Sequence, residues 1–152
     1  MHIWIICWVL LFTLASWIDL KSFTLPDWIT LPLILSGLIF NTWTSNQFCA
    51  SLDSLIGILI GYGLIRLVDE IYFKYKKQRG IGQGDAKLLA AIGSILGWRA
   101  IFSVLFWAAL SGLLVGLIMI KLRRFTFQNP MPFGPFLSLF ACVFIIIETR
   151  AP

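Results

Sequence analysis

Long runs of apolar residues, separated by short polar segments, make up most of this chain. A helix that crosses the ~30 Å hydrocarbon core of a bilayer needs about 20 predominantly apolar residues, counting its flanks. Each run is therefore a candidate for one transmembrane helix, and the pattern predicts an all-α polytopic membrane protein with about six such helices. The runs are Ile3–Ile18, Leu31–Trp43, Leu52–Tyr72, Leu88–Gly97, Ile101–Ile120 and Phe133–Ile147.

The fourth run differs from the others because it is only ten residues long. At a rise of about 1.5 Å per residue it is too short to cross the bilayer. Either the residues around Gly84 extend this helix, or the helix begins below the membrane interface. Both alternatives place Asp85 near or within membrane depth, where a carboxylate is costly and is therefore a candidate for function.

The third run contains Gly57 and Gly61 in a G-x-x-x-G spacing, which lets two helices approach closely. We favour packing within this bundle over dimerisation, because a bundle of six spans needs such faces itself. The expectation is a close contact between the third helix and another helix of the same chain.

Composition agrees with the apolar pattern. Of 152 residues, 59% are hydrophobic and 12% are charged, whereas soluble domains average about 45–50% and about 25%. The length predicts one domain, and we treat residues 1–152 as a single membrane-embedded domain. The net charge of +5 is better explained by basic cytoplasmic loops than by nucleic-acid binding. The bilayer is therefore an expected partner, and nucleic acid is not.

The amino-terminal run has the length of a secretory signal peptide but the wrong order of charges. Its first positive residue, Lys21, follows the apolar run, whereas a signal peptide carries its positive charge before that run. We interpret the run as a retained transmembrane helix.

The cysteines and the single histidine suggest little chemistry. Cys7, Cys49 and Cys142 form no C-x-x-C pair, so neither a disulfide framework nor a zinc site is predicted. His2 is beside the first residue, where a mobile side chain is the default expectation. We therefore expect no metal, no cofactor and no nucleophile activated by histidine.

The distribution of charge predicts the orientation. If the amino terminus is outside, the segments that follow the first, third and fifth spans face the cytoplasm and carry nine Lys and Arg residues, against only Arg99 and Arg150 on the far side. Excess positive charge on the cytoplasmic side is the rule for membrane proteins. The nine are Lys21, Lys74, Lys76, Lys77, Arg79, Lys87, Lys121, Arg123 and Arg124.

Two aspartates can meet in this topology. Asp19 follows the first run and Asp85 precedes the fourth. The chain crosses the membrane twice between them, so both fall on the cytoplasmic face, whereas Asp53 and Glu148 fall on the outer face. Two carboxylates held close together share a proton, so one can act as general base on a water while the protonated one acts on an amide. Aspartic proteolysis needs a pair of this kind.

Three motifs, in the same order, resemble those of one family. Gly82–Leu88 is similar to the G-x-G-D-x-K-L motif of the type IV prepilin peptidases, which are membrane-embedded aspartic proteases. Ile18–Lys21, followed by Leu25–Pro32, resembles the segment that carries the family's first catalytic aspartate. Pro132–Leu137 resembles the motif of its last helix. The resemblance extends over nearly the whole chain.

The resemblance implies that Asp19 and Asp85 are the catalytic pair. It also makes a set of nearby residues candidates for contacting substrate or shaping the site, namely Gly82, Gly84, Lys87, Pro132, Gly134 and Pro135. The glycines could instead form only a tight turn, and the prolines could simply begin a helix. Lys87 could favour an ionised Asp85 or extend towards the membrane interface. We interpret Asp27 as a turn or N-cap residue.

In function, the resemblance implies an endopeptidase of the bacterial inner membrane that removes the basic leader from membrane-inserted type IV prepilins or type II secretion pseudopilins. Peptidases of tight-adherence pili and preflagellin peptidases are alternatives within the same group. A non-catalytic transporter or assembly protein that uses both aspartates as an ion or proton relay is the alternative from another class. Many bacterial members carry an additional amino-terminal region with C-x-x-C pairs, associated with methylation, and without it we expect no methyltransferase activity.

Overall fold

Each predicted apolar run forms most of one α-helix in the computed structural model, which describes residues 2–22, 24–44, 48–77, 82–122 and 132–150. No strand occurs within these ranges, so the all-α prediction is confirmed for the described part of the chain. In chain order the helices are α1 (His2–Ser22), α2 (Asp27–Trp43), α3 (Ser51–Lys76), α4 (Gln83–Leu96), α5 (Trp98–Lys121) and α6 (Gly134–Arg150).

The helices alternate between long and short. α1, α3 and α5 contain segments long and apolar enough to cross a bilayer, namely Ile3–Ser22, Ser51–Tyr75 and Trp98–Lys121. α2, α4 and α6 have 17, 14 and 17 residues. The described helices therefore include three candidate membrane spans, which fits a membrane protein. Part of the orientation argument depends on Arg79 and on residues 123–124, which lie outside the described residues.

α4 is the central helix of the bundle. It packs against α2, α3, α5 and α6, and every residue from Leu88 to Ile95 is buried. Because protein covers this stretch, the 14 residues of α4 need not match the thickness of a bilayer. α4 begins at Gln83, so the residues around Gly84 extend the fourth helix. The first of the two alternatives is therefore confirmed, and the depth at which α4 begins in the membrane stays a prediction.

The contact between α3 and α4 depends on glycine. A Cβ atom added to Gly57 would collide with the backbone of Gly93, and one added to Gly93 would collide with the backbone of Gly57. One turn away, a Cβ on Gly61 would lie 2.6 Å from the carbonyl oxygen of Leu89. The backbones of the two helices therefore touch directly. The interpretation of the G-x-x-x-G spacing as packing within the chain is confirmed.

A buried polar network joins the elements where α4 ends. The Asn41 side chain is fully buried, and its amide donates to the carbonyl oxygens of Ser94 and Ile95 at 3.0 and 2.9 Å. Asn41 Oδ1 accepts a hydrogen bond from the Phe48 N–H at 3.0 Å. Buried polar groups are nearly always paired, and here the pairing ties α2 and α4 to the segment before α3. No sequence pattern singled out Asn41.

Asp53 and Glu148 lie at this same end of the bundle. Both line one cleft with Trp98, whose indole N–H donates to Asp53 at 3.2 Å. The end of α4 that reaches this cleft is roughly 15 Å along the helix from Asp85, at 1.5 Å per residue. The prediction that Asp53 and Glu148 stand apart from Asp85 is therefore confirmed.

Candidate active site

The fold brings Asp19 and Asp85 to one end of the bundle. Asp19 is in the last turn of α1 and Asp85 is in the first turn of α4. Their exposed fractions are only 6% and 9%, and the two carboxylates are close enough to interact electrostatically. Two acids that are 66 residues apart in the chain thus form one buried carboxylate pair. Two interacting carboxylates in a buried site are costly to ionise together.

Gly134 positions the carboxylate of Asp19. The Gly134 N–H, at the first residue of α6, donates to Asp19 Oδ2 at 3.0 Å. The first N–H groups of a helix have no partner within it, so Asp19 satisfies one of them. A Cβ on Gly134 would lie 2.6 Å from Oδ2 and 3.0 Å from Cγ of Asp19. Only glycine lets the start of α6 approach the carboxylate this closely.

Gly82 and Gly84 differ in what surrounds them. Gly82 is the N-cap of α4 and is exposed, and a Cβ there would lie at an ordinary contact distance of 3.8 Å from Asp85 Oδ2. A Cβ on Gly84 would instead lie 2.7 Å from the Cβ and 3.0 Å from the backbone nitrogen of Leu25. Gly84 therefore allows the segment before α2 to pack on α4. Gly82 leaves an open approach beside the Asp85 carboxylate.

Lys87 forms an ion pair with Asp27. Asp27 is the first residue of α2, and Pro26 is the N-cap, so the expectation that Asp27 is a turn or N-cap residue is off by one position. The pair joins the first turn of α2 to the second turn of α4. The sequence offered two alternatives for Lys87, an influence on Asp85 and an extension towards the membrane interface. Neither included Asp27 as its partner.

The residues of the Pro132–Leu137 motif face different neighbours. Gly134 contacts Asp19, and Pro135 lines a groove between α6 and α1. Pro132 lies on the other side, where it lines an apolar cleft with Phe133 and with residues of α5. Within this motif Gly134 is the residue that the structure places in contact with the carboxylate pair.

Sequence reasoning missed two residues at this end of the bundle. Leu25 is buried against Gly84, and Ser138 is a buried serine of α6, one helical turn after Gly134. The available signal for Ser138 was its polarity inside an apolar run. Among the described residues, no group of three or more His, Cys, Asp and Glu side chains could hold a metal ion.

The described part of the chain is therefore a bundle of apolar helices of the kind found in membrane proteins, and it carries two buried aspartates at one end. Residues 4–117 match the Type IV leader peptidase family, and the chain belongs to that family. The match includes Asp19, Asp85 and Lys87 and ends before Pro132 and Gly134.

Similar curated proteins are named prepilin leader peptidase/N-methyltransferase. One from Burkholderia pseudomallei is 41% identical over 123 residues, which is 81% of this chain and 39% of that protein. One from Aeromonas hydrophila is 38% identical over 138 residues, or 89% of this chain and 45% of the relative. One from Dickeya chrysanthemi is 32% identical over 144 residues, or 95% and 50%. The chain thus spans about half or less of the length of these relatives. No solved structure matches it.

Proposed function

We propose that this protein is an aspartic endopeptidase of the bacterial inner membrane. Its substrates would be type IV prepilins or type II secretion pseudopilins, from which it removes the basic leader peptide. The observation that carries the proposal is the buried pair formed by Asp19 and Asp85 at one end of the bundle. Membership of the family supports the reaction class, and the names of the relatives support the class of substrate.

In the proposed reaction, the two aspartates have different roles. Asp19 Oδ2 accepts a hydrogen bond from the Gly134 N–H. Because a backbone N–H donor favours the ionised form of a carboxyl group, we assign Asp19 as the general base. Asp85 then holds the proton of the pair. Asp19 takes a proton from a water whose oxygen attacks the scissile carbonyl carbon, while Asp85 gives its proton to the carbonyl oxygen. When the tetrahedral intermediate collapses, the C–N bond breaks and the proton on Asp19 passes to the leaving amine. One hydroxyl of the intermediate returns its proton to Asp85 as the carbonyl re-forms.

The exposed approach at Gly82 suits a peptide substrate. An extended backbone needs room beside the reacting carboxylate, and a glycine allows close approach of another chain. Gly82 is exposed and lies next to the Asp85 carboxylate. We therefore assign Gly82 to the path of the substrate and Gly84 to packing against Leu25.

We further propose that all six helices cross the membrane, with the amino terminus outside and the aspartate pair at the cytoplasmic face. α2 and α6, at 17 residues each, are at the lower limit of the range for a transmembrane helix. α4 is shorter but is covered by its neighbours. The excess of Lys and Arg in the segments on the side of Asp19 and Asp85 supports this orientation. A leader peptide in the cytoplasm would meet the pair directly.

The test is co-expression with candidate prepilins, followed by mass spectrometry of the mature amino terminus. Asp19→Asn and Asp85→Asn should each abolish cleavage, because an amide can neither take the proton from water nor supply one as an acid. Asp53→Asn is the matched control. It lies at the other end of the bundle, and its amide oxygen can still accept from the Trp98 N–H. Cleavage by either pair variant would remove the assignment. Ion flux that needs both carboxylates, with no cleavage, would favour the relay alternative.

A further inference from the structure

A groove of about 340 Å³ runs between α1 and α6. Its floor includes Phe12 and Ser138, which are buried, and its rim includes Thr13 and Leu139, which are exposed. On α1 the groove extends from Val9 to Ser16, a length of about 10 Å at 1.5 Å per residue. This is enough to receive side chains from about two turns of another helix.

One end of the groove lies about one helical turn from Asp19. Ser16 lines the groove and precedes Asp19 by three residues, so both are on the same side of α1. On α6 the groove begins at Pro135, the residue after the Gly134 whose N–H binds Asp19. From Asp19 the groove follows α1, a candidate membrane span, towards the opposite end of the bundle.

Ser138 carries a buried, unpaired hydroxyl beside the groove. Ser138 is 3% exposed, and its Oγ has no hydrogen-bond partner among the described residues. Several other helical hydroxyls in this protein bond to a carbonyl of their own helix, as Thr13 does with Val9 at 2.6 Å and Ser111 with Ala108 at 3.0 Å. Thr30 Oγ1 is also buried and unpaired, but it does not line this groove. Leaving a buried hydroxyl unpaired is costly, unless a partner completes the site.

We propose that the α1–α6 groove binds the apolar membrane helix of the substrate, the segment that follows the cleaved bond. This inference depends on the proposed function, since a scissile bond held at Asp19 places the next residues on the membrane side of the pair. The groove is a concave surface that starts at that point and runs along a membrane span. Close helix contacts in membranes use small residues and hydroxyl groups, and Ser16 and Ser138 provide both. On binding, the Ser138 side chain turns its hydroxyl towards the groove, where Oγ accepts a hydrogen bond from one of the backbone N–H groups at the start of the bound helix, which have no partner within that helix.

The first experiment locates the substrate without requiring cleavage. A photo-crosslinking amino acid replaces Thr13 in the Asp85→Asn protein, which is co-expressed with a prepilin in cells. The matched control replaces Thr42, another exposed threonine whose hydroxyl bonds to its own helix, on α2 away from the groove. A covalent product with the mass of enzyme plus intact prepilin is expected for position 13 only. A product with a second copy of the enzyme, with lipid alone, or equally from position 42 overturns the proposal.

The second experiment measures cleavage. Thr13→Trp fills the rim of the groove and should lower the rate at least tenfold at equal protein level, whereas Thr42→Trp should stay within twofold of wild type. Ser138→Ala should lower the rate about fivefold, the effect of one lost hydrogen bond, and Ser138→Thr, which keeps the hydroxyl, should recover much of it. Wild-type rates for Thr13→Trp and Ser138→Ala would overturn the groove while leaving the peptidase assignment intact. Absence of cleavage by the wild-type protein would overturn both.

Discussion

Gly134→Ala tests the contact that holds the carboxylate of Asp19. The new methyl carbon would lie 2.6 Å from Asp19 Oδ2, whereas carbon in van der Waals contact prefers about 3.5 Å. The carboxylate must therefore move by roughly 1 Å, and the 3.0 Å hydrogen bond from the Gly134 N–H lengthens with it. The colliding group is a side chain that can rotate, so the strain falls on the geometry of the site more than on the fold.

The expected loss of activity follows from this displacement. A misplacement of about 1 Å can cost about 100-fold in rate, and a hydrogen bond to a charged group contributes roughly 1.5–3 kcal/mol, or about 10- to 150-fold. We expect the rate of leader cleavage to fall 10- to 100-fold. The thermal stability should change little, because the atoms nearest the new methyl group belong to the Asp19 side chain and not to the backbone.

The assay is the initial rate of prepilin cleavage in proteoliposomes, measured together with thermal unfolding of each variant. Gly63→Ala is the matched control, because a Cβ on Gly63, within α3, meets no atom within 4 Å. It should retain the wild-type rate. If Gly134→Ala also cleaves at the wild-type rate, the hydrogen bond from α6 does not position the catalytic carboxylate and the reasoning fails. If Gly134→Ala lowers the unfolding temperature but leaves the cleavage rate unchanged, Gly134 contributes to packing and not to the position of the carboxylate.

Two further predictions concern packing and topology. Gly57→Ala should lower stability by roughly 1–3 kcal/mol, because its methyl collides with the backbone of α4; an unchanged thermal transition would contradict the direct backbone contact. Cysteine labelling from outside the cell should reach a residue placed at Asn46 but not one placed at Gln78, two positions outside the described residues; the reverse pattern would invert the orientation.

The order and type of the helices were readable from the sequence. Hydropathy is a local property, so the apolar runs located all the described helices, including the short α4, whose extension through Gly84 was one of two stated options. Counting crossings needs only chain order, and this placed Asp19 and Asp85 together and set Asp53 apart. The resemblance of the Gly82–Leu88 motif then gave the aspartate pair a chemical meaning.

The partners of individual side chains were decided only by the tertiary structure. The bond from Gly134 to Asp19 joins residues 115 apart, and the Lys87–Asp27 pair joins residues 60 apart. Such contacts depend on how each helix is rotated about its axis and on how closely it packs against its neighbours. The hydropathy of the sequence determines neither the rotation nor the packing distance. Because an apolar run is nearly uniform around its circumference, its sequence does not say which face meets which neighbour. The unpaired hydroxyl of Ser138 became visible for the same reason, once α6 was packed against α1.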